Sequence, residues 1–155
     1  MKLVRRSLAF AAGAVVLVLA AGCDRFVGVE TRLERARTSL DEHAYQAALI
    51  DVRKALESEP DNIEAQLLHV DVLSASGELE SAAVPLDRAA EAGAPVAEVE
   101  PRRLELFIAK GDLDAAGVML GASSTLPEVS RQVFEGRLRL LRQQPAEAEA
   151  AFDRA

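Results

Sequence analysis

The feature that most constrains the fold is an internal repeat of 34 residues. Ala48, Ala82 and Ala116 stand 34 residues apart, and Ala148 follows after a further 32. Repeats of this length are typical of stacked units that each bury an apolar face against the next unit. We therefore expect one supersecondary unit in each period. The alternative is a helical bundle without repeats.

Each period is predicted to be a pair of helices. Alanine, leucine, glutamate and arginine dominate the chain after residue 22, and these residues favour helices. No alternating run rich in valine, isoleucine and threonine follows residue 22, so no sheet is expected. The predicted fold class is all-α. The predicted helices cover 29–41, 45–58, 62–76, 79–92, 96–110, 113–122, 127–142 and 145–155.

The repeated positions explain how two helices could pack as a hairpin. Small residues allow the two axes to approach, with Ala36 or Gly136 on the first helix and the repeated alanine on the second. A left-handed turn residue favours glycine, and Gly77 and Gly111 keep the 34-residue interval, with His43 at the same position in the first copy. Large apolar residues are expected between successive hairpins: Val52, Leu86, Leu120 and Phe152.

The pattern Ala48, Val52, Ala55 and Pro60 resembles the second helix and closing turn of tetratricopeptide repeats. The resemblance implies a solenoid of about three and a half helical hairpins after a cleaved signal peptide. The first copy departs from the family because arginines stand where an aromatic residue or leucine is usual. The expected repeats cover 29–62, 63–96, 97–128 and a truncated 129–155, and further repeats or a protein partner are expected beyond the last helix.

The amino-terminal stretch has the pattern of a secretory signal. Lys2, Arg5 and Arg6 precede an uncharged run of 14 residues from Leu8 to Ala21. A membrane-spanning helix needs about 20 apolar residues, so this run is short for a permanent anchor and suits a signal peptide over residues 1–22. An ordinary signal peptide with an incidental cysteine and an uncleaved anchor are the alternatives.

Cys23 is the only cysteine in the chain, so it has no partner for an intramolecular disulfide. The residues around it resemble a bacterial lipobox. The resemblance implies cleavage before Cys23, lipid on its sulfur and a short tether over 23–28, with no other cofactor. Asp24 resembles a signal for retention in the inner membrane, facing the periplasm, although the outer membrane is an alternative. The lipobox residues are Leu19, Ala20, Ala21 and Gly22.

Charge and motif content argue against several functions. The formal net charge is −7, whereas nucleic-acid binding favours basic surfaces. His43 and His69 have no neighbouring ligand residues at metal-binding spacing, and no catalytic or phosphate-binding motif is present. We expect neither an enzyme nor a metal site.

A recognition function is therefore predicted, with a protein or peptide as the partner. In tetratricopeptide arrays the first helix of each pair lines the concave groove, and matching repeat positions give the candidate residues here. An alternative for about half of them is packing between helices. The candidates are Leu33, Arg37, Leu40, Leu67, Asp71, Glu105, Ile108, Val133, Arg137 and Leu140.

A narrower resemblance is carried by Ala36 and Leu40, by the stretch 47–56, and by the loop Gly93-Ala94-Pro95. These motifs resemble the amino-terminal region of the tetratricopeptide-repeat lipoprotein of the exosortase (PEP-CTERM) system, the PrsT family. The resemblance implies a membrane-anchored scaffold linked to exopolysaccharide production and protein sorting. A pilotin or outer-membrane assembly factor is the alternative, and a regulatory subunit of an enzyme is a third.

Overall fold

The computed structural model describes residues 27–155, and this part of the chain contains eight helices and no strand. The all-α prediction is confirmed. Seven of the helices begin and end within one residue of the predicted limits, and the last ends three residues early. The helices are α1 (Val29–Asp41), α2 (Tyr45–Ser58), α3 (Ile63–Ala75), α4 (Leu79–Glu91), α5 (Val96–Lys110), α6 (Leu113–Ala122), α7 (Glu128–Leu141) and α8 (Pro145–Phe152).

The helices form four consecutive hairpins, α1–α2, α3–α4, α5–α6 and α7–α8. Every helix packs against the next one in the chain, and short turns join the two helices of each hairpin. The first helices of neighbouring hairpins also touch, α1 against α3 and α3 against α5. Successive hairpins therefore stack in chain order, with their first helices on a common side.

All four hairpin turns contain a residue in the left-handed backbone region. Gly77 and Gly111 have φ of 83° and 78°, while His43 and Gln143 adopt φ of 59° and 62° at the equivalent positions. The predicted shared turn position is confirmed. A side chain at positive φ is strained, so His43 and Gln143 hold a conformation that glycine adopts at no steric cost.

The small residues lie where the helices of each hairpin approach closely. Ala36 and the four repeated alanines are at most 1% exposed. Gly136 is the extreme case, because a Cβ atom built on it would lie 2.5 Å from a ring carbon of Phe152. Phe152 was expected between hairpins, but its ring packs on the first helix of its own hairpin and remains 38% exposed.

Local contacts in the loops between hairpins define where one helix ends and the next begins. Asn62 caps α3, and its side-chain oxygen accepts a hydrogen bond of 2.9 Å from the backbone N–H of Ala65. Asparagine at this position satisfies one of the N–H groups that a helix start leaves unpaired. Pro95 stands at the corresponding position before α5, after Gly93 at φ 93°.

The apolar core is unevenly distributed. One continuous cluster runs from Leu33 to Leu106 and joins the first two hairpins to α5. A second, much smaller cluster contains only Leu104, Leu120, Leu126 and Phe134 as its buried members. The last two hairpins are therefore held together by fewer buried apolar contacts than the first two.

The predicted signal peptide, the lipobox residues, Cys23 and Asp24 lie outside the described residues. Within residues 27–155, no helix combines the length and the apolar character needed to cross a bilayer. The predicted tether over 23–28 meets the described part at Val27 and Gly28, just before α1 begins.

Candidate functional site

The first helices α1, α3, α5 and α7 share one side of the stack, which we call the first-helix face. Three ion pairs connect these helices in order. Arg37 of α1 pairs with Glu64 of α3. The other two pairs, Asp71 with Arg102 and Glu105 with Arg137, join α3 to α5 and α5 to α7.

Two of these pairs are bidentate. The Nε and Nη2 atoms of Arg102 lie 2.8 and 2.9 Å from the carboxylate oxygens of Asp71. Both terminal nitrogens of Arg137 donate to the Glu105 carboxylate. These hydrogen bonds are the largest cause that raises the pKa of Arg102 and Arg137 above the ordinary value. Such forked contacts fix the relative orientation of two side chains.

An apolar recess opens between α3, α5 and α7 on this face. Its volume is about 420 Å³, comparable to small ligand pockets. The Asp71–Arg102 pair and Glu105 also border it. The guanidinium carbon of Arg137 lies 5.7 Å from the centre of the Phe134 ring, which holds the ring beneath a cation. The apolar lining includes Val70, Pro101, Leu106, Ala109 and Phe134.

A second recess of about 470 Å³ lies along α1, α3 and α5. It is bordered by Arg37, Glu64 and Arg102, with Leu67 and Leu68 at its floor. The two recesses share Asp71 and Arg102. Together they form one furrow along the first helices, with apolar floors and paired charges on the rim.

The predicted groove residues fall into three groups. Arg37, Asp71, Glu105 and Arg137 are the charged residues that the three ion pairs bring together. Leu33 is fully buried in the core and offers no surface to a ligand, and Leu67 is only 4% exposed. Leu40 and Ile108 are partly buried against the two apolar clusters, while Val133 and Leu140 are 38% and 50% exposed.

The sequence-based prediction missed Glu64 and Arg102, the partners of Arg37 and Asp71. They follow those residues by 27 and 31 positions, which is seven and three residues less than one repeat. Opposite charges at nearly one repeat length are therefore a signal for pairs between neighbouring first helices. Phe134 was also missed, because its neighbour Val133 occupies the repeated position.

Within residues 27–155, no group of three or more histidine, cysteine, aspartate or glutamate side chains could hold a metal ion. His43 stacks on Tyr45 beside the first turn, with ring centres 6.0 Å apart. No protein-family model matches the chain, and no curated protein or solved structure matches it significantly.

Proposed function

We propose that this protein is a lipid-anchored, periplasm-facing scaffold whose tetratricopeptide-type array binds a protein or peptide partner on the first-helix face. The observation that carries the proposal is the furrow itself, which is crossed by three ion pairs and contains two recesses. One recess has a mainly apolar lining, and the other has leucines at its floor and charged residues at its border. Grooves with apolar floors and polar rims are typical of peptide recognition by helical surfaces.

The furrow suggests what the partner segment presents. An apolar side chain would enter the recess over Phe134 and Pro101, where removal of its surface from water contributes about 25 cal/mol per Å² before the costs of association are subtracted. The rim carries both signs of charge in fixed pairs, so it selects a segment with alternating polar groups and does not attract one sign of charge. The segment would lie across α3, α5 and α7.

The anchor part of the proposal rests on the sequence before the array. A lipid on Cys23 would hold the protein at the membrane, because two or more acyl chains give stable anchoring whereas one is marginal. The proposed setting is an exosortase-linked system for exopolysaccharide production and protein sorting, at the inner membrane. The lipobox resemblance and the motif resemblance described above support this setting.

Replacement of the cysteine tests the anchor. We expect Cys23→Ala to release the protein from membranes while the helical content of the array is kept, because Cys23 lies outside residues 27–155, which form the helices. Fractionation of cells expressing the variant, followed by circular dichroism of the released protein, measures both effects. Equal membrane retention of the variant and the unmodified chain would refute the lipid tether.

Site-specific photocrosslinking tests the recognition face. A photoreactive residue at Ala109, in the recess, should trap a partner protein that one at Val118 does not. Val118 is a matched control because it is 75% exposed but lies on α6, a second helix. With the photoreactive residue kept at position 109, the trapped partner should be lost when Ala75, which lines the same recess, is replaced by arginine. The same adduct from both positions would contradict the proposed face.

A further inference from the structure

A separate pocket of about 400 Å³ lies between α6 and α7, at the junction of the third and fourth hairpins. Two glycines of α6, Gly117 and Gly121, form one wall. Three arginines form the other, with a single acidic residue, Glu135, among the lining side chains. We call this the third-junction pocket. Its cationic residues are Arg131, Arg139 and Arg142.

The arginines come from one face of α7 and its end. Arg131, Glu135 and Arg139 follow one another at intervals of four residues, which places them on the same side of a helix. Arg142 follows three residues later, where its Nη2 atom donates to the backbone oxygen of Leu113 at 2.8 Å. The helix therefore fixes the positions of these residues relative to one another.

The contacts leave most of the guanidinium donors available. Arg139 gives one hydrogen bond, of 2.6 Å, to Glu135, whereas a guanidinium carries five N–H donors. Arg131 donates to the backbone oxygens of Leu120 and Ser123 at the end of α6. Glu135 itself also lies 3.7 Å from Arg154.

Two further acids lie near the arginines. Glu128 is 3.7 Å from Arg131, and Asp114 is 3.1 Å from Arg142. Their side chains are 70% and 100% exposed, respectively, and neither lines the pocket. Solvent screens exposed pairs of this kind. Inside the pocket itself, three guanidinium groups face one carboxylate.

The first hairpin junction is an internal control, because it uses the same repeat positions. The position of Gly117 is held by Leu49 in the first hairpin, where that side chain is 2% exposed. The position of Arg139 is held by Leu73 in α3, which is also 2% exposed. At the first junction these two positions thus hold buried leucines, whereas at the third they hold a glycine and an arginine. A Cβ atom built on Gly117 would lie 3.0 Å from Nη2 of Arg142, so this guanidinium lies against the glycine.

The second junction has a carboxylate at a position that is open in the third. At the second junction, Asp87 of α4 accepts a hydrogen bond of 2.8 Å from Arg103 of α5. The residue 34 positions after Asp87 is Gly121. A Cβ atom added to Gly121 would meet nothing within 4 Å. The position of Arg103 is held at the third junction by Glu135, 32 residues later. The third junction therefore has open space at the position of Asp87, its own carboxylate lies on α7, and its arginines come from other positions of α7 and its end.

We propose that the third-junction pocket binds a compact oxyanion, a carboxylate or phosphate group, in the space that corresponds to the Asp87 side chain. Arginine suits this role because its planar fork matches both groups. The volume is sufficient for a ligand of the size of a single sugar acid. This site lies on a different surface from the first-helix face and does not depend on the function proposed for it.

Glycine amide signals of the full-length protein in an uncharged detergent provide the test. With 15N-glycine labelling, the amide resonances of Gly117 and Gly121 should move saturably when inorganic phosphate or D-glucuronate is titrated at low ionic strength. Those of Gly77 and Gly93, in distant turns, should not move. D-glucose is the uncharged control. Saturation by phosphate alone assigns a phosphate group, and saturation by glucuronate assigns a carboxylate.

Three variants sharpen the result. Arg139→Gln should weaken binding about tenfold or more, because a hydrogen bond to a charged group is lost. Gly121→Asp should abolish the shift at Gly117, because a Cβ atom at this position meets nothing within 4 Å and the added carboxylate would compete with the anion for the arginines. Arg103→Gln, at the second junction, should leave binding unchanged. The absence of saturable shifts with both anions, or equal loss in the Arg139 and Arg103 variants, would overturn the proposal.

Discussion

The first two hairpins and the last two have the same backbone plan but are held together differently. Both halves have turns with a left-handed residue and a buried alanine at the close approach of the helices. In the first half a continuous apolar cluster fills the spaces between hairpins, whereas only four buried apolar residues form the cluster of the second half. The positions that set the geometry of each hairpin therefore differ from the positions that determine how strongly neighbouring hairpins are held together.

This separation follows from what each position does. Small residues and turn residues set how close two helices come and how the chain reverses, so they are needed in every hairpin. The residues between hairpins only have to fill space, and they can change without altering the hairpin. In stacked repeats, stability is approximately a sum of such neighbour terms. We therefore expect the last two hairpins to open at lower free energy than the first two.

The largest expected effect compares two leucines at equivalent positions. Leu86 of α4 is fully buried in the larger cluster, while Leu120 of α6 is 8% exposed in the smaller cluster. We expect Leu86→Ala to lower the free energy of unfolding by about 2–5 kcal/mol and Leu120→Ala to lower it less, because the residual cavity is smaller. Urea unfolding followed by circular dichroism measures both. Equal losses would remove the proposed difference between the halves.

The close approach within the first hairpin gives the next largest effect. Ala48 has no exposed surface, so Ala48→Leu must push α1 and α2 apart, at a cost of about 1–3 kcal/mol. Its neighbour Ala47 is exposed, and Ala47→Leu should leave stability nearly unchanged. Thermal melting of the two variants checks this pair. If both melt at the temperature of the unmodified chain, the assigned repeat register is wrong.

A smaller effect is expected at the two turns without glycine. His43 and Gln143 adopt positive φ, one in each half of the molecule. Left-handed backbone costs a non-glycine residue about 1–2 kcal/mol, and part of this is recovered when glycine replaces it. We expect His43→Gly and Gln143→Gly each to raise the free energy of unfolding by about 1 kcal/mol. A gain in only one half would show that the turns are not equivalent.

The smallest effect concerns pH at the first junction. His69 of α3 is partly buried, and it faces Arg53 of α2, Arg88 of α4 and Glu78 at the turn before α4. Burial, followed by the two arginines, lowers the pKa of His69 below its ordinary 6.5, and Glu78 opposes this. As pH falls through 6.5 towards the lowered pKa of His69 in the folded chain, the unfolded chain takes up a proton before the folded chain does. The free energy of unfolding should therefore decrease.

Comparison with His69→Gln isolates the contribution of His69 to the pH dependence of the free energy of unfolding. The variant should lose the part of the decrease that occurs between pH 7 and pH 5, whereas the decrease at lower pH, which comes from carboxylates, should remain. Chemical unfolding at a series of pH values measures the difference. Identical pH profiles for the two proteins would show that His69 does not titrate differently in the folded chain.

Much of the fold followed from the sequence because helices and turns depend on near neighbours. The 34-residue period located the helices and the left-handed turn positions. Asn62 caps α3 by accepting from the N–H of Ala65, three positions along the chain, so this helix start also depends on near neighbours. The signal peptide and the lipid on Cys23 remain predictions from residues that the described part of the chain does not include.

The functional surfaces were less accessible to sequence reasoning, because they depend on how separate helices pack. A repeat position shows that Arg37 and Leu33 lie on first helices, but only the packing shows that Leu33 is buried while Arg37 pairs with Glu64. The partnership of Asp71 with Arg102 likewise depends on the rotation of α3 against α5. The sequence by itself determined the helices, the turns and the order of hairpins, because these depend on local spacing. The ion-paired furrow and the third-junction pocket were decided only by the tertiary structure, because distant side chains meet only after the hairpins stack.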